Sequence, residues 1–402
     1  MDFEVHDTPE QQRFRAEVRA WMEDNVPDDV RGREHEEPEE TYQRRRELGR
    51  KLGAKGWLYP RAPKEYGGGG LDVDSALVLV DEMHRYELGL PPYYDSGGSL
   101  GSVAILVWGT DEQKQEFLPP IYSGEQRTWQ LLTEPGAGSD VASAATTAVR
   151  DGDEYIITGQ KVFIGSAHGC DAMWTLARTG APDARHQNLS WFMIPADTPG
   201  ITVMPISLMS SKDKNLIFLD GVRVPARNLV GGENHGWEVA STHLDLEHGL
   251  RTDHLIGAGL DRLFEAVLAT CDHHAEELGE RLDDPRVVDL LAQAYVRKEI
   301  VRLMGLRNFW LVMASQPRSY EGAQAYLMEK TTSLWFSQVA LEVLGPLALM
   351  DGDDAQHTAL ARAQAGAIAG MHGGGTAEMQ KLVIARRMGL GRVAREEAGR
   401  TG

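Results

Sequence analysis

The stretch Leu131-Leu132-Thr133-Glu134-Pro135-Gly136-Ala137-Gly138-Ser139-Asp140 (LLTEPGAGSD) reads as a β-strand that breaks into a glycine-rich turn with hydroxyls on both flanks. Such a turn can present backbone N–H groups to an anion or to the polar edge of a ring. A plain decorated hairpin loop fits the same residues, so the surroundings must decide. From about Thr128 to Val230 come short runs rich in β-branched and aromatic residues: TWQLL, TTAVR, EYIITG, KVFIG, AMWTLA, LSWFMI, ITVMPI and NLIFLDGVRV. Asp151-Gly152-Asp153 reads as a hairpin turn between two of them. Strands this closely spaced predict an antiparallel sheet or barrel rather than alternating βαβ units.

On both sides of this region the apolar period is helical. Thr8-Pro9 places an N-cap before a proline at the first helical position, and Gln11 completes a capping box. Phe14, Val18, Trp21 and Met22 follow at helical spacing. Residues 61–70, RAPKEYGGGG, read as a loop, with helices over Val73–Arg85 and around Asp111–Phe117. After Gly231-Gly232-Glu233-Asn234-His235-Gly236-Trp237 the helical period returns and persists, with Asp284-Pro285 opening a long helix that Pro317 closes. The expected fold class is α+β: an N-terminal helical domain over 1–126, a middle antiparallel β-barrel domain over 127–231, and a C-terminal four-helix bundle over 232–402.

The bulk numbers narrow the function. Lys+Arg 41 against Asp+Glu 60 gives a net charge of −19, which repels phosphate backbones and anionic membrane surfaces but leaves room for a small anionic ligand held by local cations. No nucleic-acid or membrane partner is expected. No apolar run approaches 18 residues, the start has no secretory pattern, and a cytoplasmic location is expected. Cys170 and Cys271 are too few for a disulfide framework or a cysteine-based zinc site. The histidines at 243, 248 and 254 and the group Cys271-Asp272-His273-His274 read as a solvated helix surface, so no metal is expected. Gly257-Ala258-Gly259 lacks the third glycine and the strand of a dinucleotide fingerprint. Gly97-Gly98-Ser99-Leu100-Gly101 matches a nucleophile elbow and His372-Gly373-Gly374-Gly375 an oxyanion motif, which makes a serine hydrolase a remote alternative. The two occur in the wrong order for that enzyme, and no βαβ alternation accompanies them.

The TEPGAGSD segment resembles a signature of the acyl-CoA dehydrogenase family. GWLYPRAPKEYGG, WGTDEQKQEFLPPIYSGE, YIITGQKVFIGS, FLDGVRVPARNLVGGENHGW and TAEMQKLVIARRMG extend the resemblance along nearly the whole chain, in the family's α, β, α order. The resemblance implies FAD as cofactor and an acyl-CoA as substrate. It places Leu132, Thr133, Gly138 and Ser139 at the flavin edge and the cofactor or CoA phosphates. Phe163, Ile164, Gly165 and Ser166 fall on a segment whose aromatic residue packs against the isoalloxazine, and Thr376 also falls on the cofactor. Gly165 departs from the family's usual threonine.

Removal of an α-proton from an acyl thioester needs one positioned carboxylate. In many members it stands where this chain has Gly374, within Gly373-Gly374-Gly375-Thr376. A subset supplies it from another helix, in a segment similar to Leu244-Asp245-Leu246-Glu247-His248, which makes Glu247 the expected base. The glycines then read as clearing the old position and leaving room for a bulky acyl group. Asp245, His248, Arg251, Ser139 and Gly374 are the expected substrate contacts, with His248 in place of a usual arginine and Arg251 a candidate substitute. Glu247 and Arg251 also have the i, i+4 spacing of a surface ion pair.

The half-site that members lend to a neighbouring subunit is missing. An Arg-x-x-Phe-Gly element corresponds to Ala275-Glu276-Glu277-Leu278-Gly279, and a Gln-x-x-Gly-Gly element to Glu342-Val343-Leu344-Gly345-Pro346; Glu378 replaces a neutral residue. The pattern resembles the catalytic subunit of α2β2 actinobacterial acyl-CoA dehydrogenases, with a paralogous partner subunit supplying the missing contacts. A homotetramer and an FAD-poor or non-catalytic subunit are the alternatives. The resemblance implies an electron-transfer flavoprotein as electron acceptor.

Overall fold

The computed structural model describes residues 7–31, 37–209, 214–249, 258–313, 316, 319–350 and 355–390. They form two compact units, Met1–Leu244 and Asp245–Gly402.

The first unit begins with helices α1 (Pro9–Asn25), α2 (Glu39–Ala54), α3 (Val73–Arg85), α4 (Ser102–Trp108) and α5 (Asp111–Tyr122). α1 begins at the predicted cap, where Thr8 accepts from the Gln11 N–H while the Gln11 side chain reaches back; Thr110 and Gln113 form the same device on α5, which the sequence reading did not name. The helical region has a core of Val18, Met22, Leu48, Leu52, Trp57, Leu79 and Met83. Within it, the fully buried Glu82 of α3 accepts from Arg15 and Arg19 of α1, which hold its carboxyl below the ordinary range although burial pushes it up.

Eight strands follow: β1 (Thr128–Leu131), β2 (Thr147–Asp151), β3 (Glu154–Ile164), β4 (Ala172–Arg178), β5 (Leu189–Pro195), β6 (Ile201–Ile206), β7 (Lys214–Pro225) and β8 (Leu229–Val230). They form one sheet in the order β6-β7-β3-β2-β4-β5-β8, with β1 beside β4. Asp151-Gly152-Asp153 makes the expected hairpin, with Asp151 opposite Glu154 and Gly152 at φ +63°. The sheet is mixed where the strand spacing predicted antiparallel pairing alone. β1 pairs with Ala172–Thr175 and β2 with Arg178, both parallel to β4. Both therefore lie on the β4 edge opposite β5. The chain leaves that edge after Leu131, makes an excursion through residues 132–146, and returns to it. Proximity in sequence gave no hint of this, because the excursion replaces a hairpin.

Helix α6 (Gly236–Gly249) closes the first unit; Trp108 Nε1 donates to Thr242 Oγ1 at 2.9 Å, and Leu244 packs on the core around Trp174 and Trp191. The second unit contains α7 (Ala258–His273), the single turn α8 (Ala275–Leu278), and α9 (Pro285–Met313), α10 (Glu321–Leu344), α11 (Ala355–Gly370) and α12 (Ala377–Arg387). α9 opens at Pro285 as predicted; Pro317, its expected stop, lies outside the described residues. Glu321–Leu349 contains no unbroken apolar run approaching 18 residues, although by length and mean composition it could cross a membrane, and half of its most apolar stretch is buried. Phe336, Val339, Ala340, Val343 and Leu344 point into the helical core of this unit, which is the burial of a bundle's core helix.

Candidate active site

A buried ion pair holds the glycine-rich turn. Lys161 of β3 is fully buried and donates to Glu134 Oε1 at 2.8 Å, to the Leu176 carbonyl at 2.7 Å and to the Leu132 carbonyl at 3.3 Å. An ammonium has three donors, and all are used. The Glu134 carboxylate also accepts from the Ala145 N–H (2.6 Å) and the Thr146 N–H (3.1 Å). Burial pushes the Glu134 carboxyl up, but Lys161 and these donors outweigh it, so it lies below the ordinary range; burial holds Lys161 below the usual lysine range. The paired charge thus clasps both ends of the excursion: where it leaves β4 at Leu132 and where it returns at Thr146. Glu134 and Ala137 exchange backbone hydrogen bonds across the turn. Gly136 and Gly138 face open space, and Ser139 is exposed.

Beside this turn runs the end of β3, where the Val162 N–H donates to the Thr133 carbonyl at 2.9 Å. The ladder with β7 is irregular between Lys161 and Ile164, and within that bulge Phe163 has φ +62°. A positive φ in an aromatic residue is strained, and such strain collects at functional sites. Phe163 is 55% exposed. Strain here leaves a large apolar ring exposed instead of in the core. The bulge is pinned from beneath: Asn215 Nδ2 donates to the carbonyls of Ile164 (3.0 Å) and Ser166 (2.9 Å), and Lys214 Nζ donates to that of Gly165 (2.7 Å).

Gly165 has φ +70°, and a Cβ built on it would lie 2.5 Å from Trp129 Cδ2 and closer still to Cε2. The buried Trp129 indole fills the space that a threonine side chain would need. Ser166, expected at the cofactor, turns its hydroxyl inward to Arg127 Nη2. Arg127, fully buried, donates as well to the Tyr42 hydroxyl and to the carbonyls of Tyr94, His168 and Gly169. Ile164 is a buried core residue.

The first unit thus brings together Leu132, Thr133, Phe163, Ile164, Gly165 and Ser166, with Gly138 and Ser139 farther out on the same turn. Of the expected catalytic group, Asp245, Glu247 and His248 belong to α6, but their side chains and Arg251 lie outside the described residues. In the second unit Gly374 and Gly375 have positive φ (+61° and +79°), and Thr376 caps α12 by accepting from the Met379 N–H at 3.1 Å. The expectation that the glycines clear open room is corrected at Gly374: a Cβ there would lie 2.5 Å from Tyr326 Oη. Glu276 and Glu277 stand exposed on α8, and His274 Nδ1 lies 3.1 Å from Glu277 Oε2.

Sequence reasoning missed Lys161, Glu134, Arg127, Asn215 and Trp129 as organisers of the turn and bulge in the first unit, and Tyr326 as the neighbour of Gly374 in the second. One signal was available for Lys161: a cation inside an otherwise β-rich run must be exposed or paired. Ser99, the alternative nucleophile, is exposed on a π-helical turn over Gly97–Gly101 that leads into α4, not at a strand-to-helix elbow.

Family models cover most of the chain: the acyl-CoA dehydrogenase N-terminal domain over residues 8–125, the middle domain over 130–218 and the C-terminal domain over 234–389. The acyl-CoA dehydrogenase IpdE1 of Mycobacterium tuberculosis is 31% identical over 96% of this chain and 99% of its own. Two solved structures are similar over nearly their whole length. The Tcur3481-Tcur3483 steroid ACAD is 28% identical with a TM-score of 0.79, covering 98% of this chain and 100% of that one. The ChsE4-ChsE5 complex of Mycobacterium tuberculosis is 27% identical with a TM-score of 0.78, covering 97% and 100%. With a fold, a signature turn and matches of this extent in agreement, the chain belongs to the acyl-CoA dehydrogenase family of flavin oxidoreductases.

Proposed function

We propose that this chain is the catalytic subunit of an FAD-dependent acyl-CoA dehydrogenase that converts an acyl-CoA thioester to the trans-2-enoyl-CoA. The observation that carries the reading is Phe163, an exposed aromatic ring on a strained and pinned bulge beside an open glycine-rich turn. These residues fit a flavin: the ring offers a flat apolar wall, and at Gly136 and Gly138 a side chain would meet nothing within 4 Å, so the turn leaves space for a polar cofactor edge. When bound, the flavin supplies the acceptor for the hydride leaving the β-carbon.

The chain's own residues do the rest. Phe163 would keep water from the flavin, and Thr133 with the following turn would supply its polar contacts. Glu247 removes the α-proton as general base, a role it takes because Gly374 carries no carboxylate. Asp245, His248, Arg251 and Ser139 contact the thioester and CoA. The partner is a paralogous subunit that supplies the contacts missing at Ala275–Gly279 and Glu342–Pro346, in line with the two-component names of the similar ChsE4-ChsE5 and Tcur3481-Tcur3483 structures. An electron-transfer flavoprotein would be the electron acceptor.

Glu247→Gln tests the mechanism. The variant should retain FAD but lose bleaching of the 450 nm band on addition of acyl-CoA, by roughly 100-fold or more in rate, as removal of a general base dictates. Bleaching at the wild-type rate would remove Glu247 from the reaction.

A further inference from the structure

The loop between α11 and α12 is built against a side chain that the proposed mechanism does not use. Tyr326, half-buried on α10, has its hydroxyl 2.5 Å from the place a Cβ on Gly374 would take, while its ring carbons Cζ and Cε1 stand at ordinary contact distances of 3.4 and 3.5 Å. Lys330, one turn further along α10 and buried, ties the loop to the same helix. Its ammonium lies 4.5 Å from the Tyr326 ring centroid and donates to the carbonyls of Gly370 and Gly373, the latter at 2.7 Å. From the other side, Gln380 Nε2 donates to the Gly374 carbonyl at 3.2 Å. Helix and loop are one fixture, and the phenol occupies the direction in which a side chain at 374 would grow.

We propose that Tyr326 is a specificity-determining wall of the acyl pocket: Gly374 takes away a carboxylate, and Tyr326 refills the space with a neutral, flat group. This rests on reading Gly374 as the position other members give to their base. It adds to that reading that the pocket is relined at this point, not enlarged. The ring limits acyl bulk next to the α-carbon, and a small residue at 326 admits branching that the native chain excludes.

Two measurements on the flavin-loaded protein, co-expressed with its partner where that is needed for loading, test the proposal. The first is a stability cycle. Gly374→Ala should lower the melting temperature in the wild-type background and lower it less in Tyr326→Phe, which removes only the clashing oxygen; the residue of the penalty comes from φ +61°. Equal penalties in both backgrounds would overturn the contact. The second is binding of a C2-methyl-branched and a linear acyl-CoA of equal length, read from the perturbation of the flavin band. Tyr326→Ala should shift the ratio of the two dissociation constants toward the branched ligand by roughly ten-fold, the discrimination expected for a group of methyl size. Coupling in the first measurement with no shift in the second would make Tyr326 a purely structural support and end the specificity proposal. Failure of the Glu247 assignment would appear separately, as bleaching by Glu247→Gln.

Discussion

Lys161→Met removes a charge while keeping most of the side-chain volume, and the geometry fixes what it leaves behind. Glu134, 5% exposed, keeps its two N–H donors but loses its cation, and the carbonyls of Leu132 and Leu176 lose a donor in a buried place. Breaking a buried pair from one side costs about 3–5 kcal/mol, because an uncompensated charge remains. Urea unfolding followed by tryptophan emission reads this directly, since Trp129, Trp174 and Trp191 are all buried in the same region. The sign with pH follows from the carboxyl. Glu134 lies below its ordinary value in the folded wild type, so its contribution is present above the unfolded carboxylate pKa and is lost as pH falls through the depressed folded value. Without Lys161, burial dominates and pushes the carboxyl up, so the variant takes a proton at higher pH, and its deficit relative to wild type shrinks on acidification. The double variant Glu134→Gln/Lys161→Met, which leaves no buried charge, should recover most of the loss. A cost below about 1 kcal/mol for Lys161→Met, the range of an exposed pair, would refute the reasoning. So would a double variant no more stable than the single one.

Restoring the family's usual residue with Gly165→Thr should cost about 1–3 kcal/mol, from a positive φ and from overpacking against Trp129, and the same urea titration measures it; wild-type stability would show that the indole yields. The FAD-to-protein ratio of the chain purified alone, taken at 450 nm after heat release, should fall well below one and rise on co-expression with a paralogue. A ratio near one for the chain alone would favour an ordinary homo-oligomer.

The order of helical, β and helical regions was legible because each period is local: 3.6 residues between Thr8 and Met22, strand-length runs between Thr128 and Val230. The cap at Thr8 and the turn at Gly152 were legible for the same reason. The parallel pairing of β1 and β2 on one edge of β4 was not, since it depends on partners more than thirty residues away and on a buried ion pair at the neck of the excursion. Phe163 could be singled out by resemblance, but no propensity signals that its backbone is turned to φ +62°. That follows from Asn215 and Lys214 holding three consecutive carbonyls from the facing strand.

Two glycines illustrate where residue-by-residue comparison stops. At 165 and at 374 the resemblance expects a side chain that this chain lacks, and the sequence alone reads the glycine at 165 as a departure and that at 374 as cleared space. The structure gives each a neighbour that takes up the space: Trp129 against Gly165 and Tyr326 against Gly374. A lost side chain in a packed protein leaves a void unless a neighbour fills it, and voids cost stability in proportion to their volume. Glycine and aromatic residue at each place therefore form a unit, and a side chain restored alone would meet the Trp129 indole at 165 and the Tyr326 hydroxyl at 374. The change of base from position 374 to Glu247 that we propose is, on this view, hard to reverse by one substitution: Gly374→Glu in a Glu247→Gln background should not recover bleaching unless Tyr326 is reduced as well.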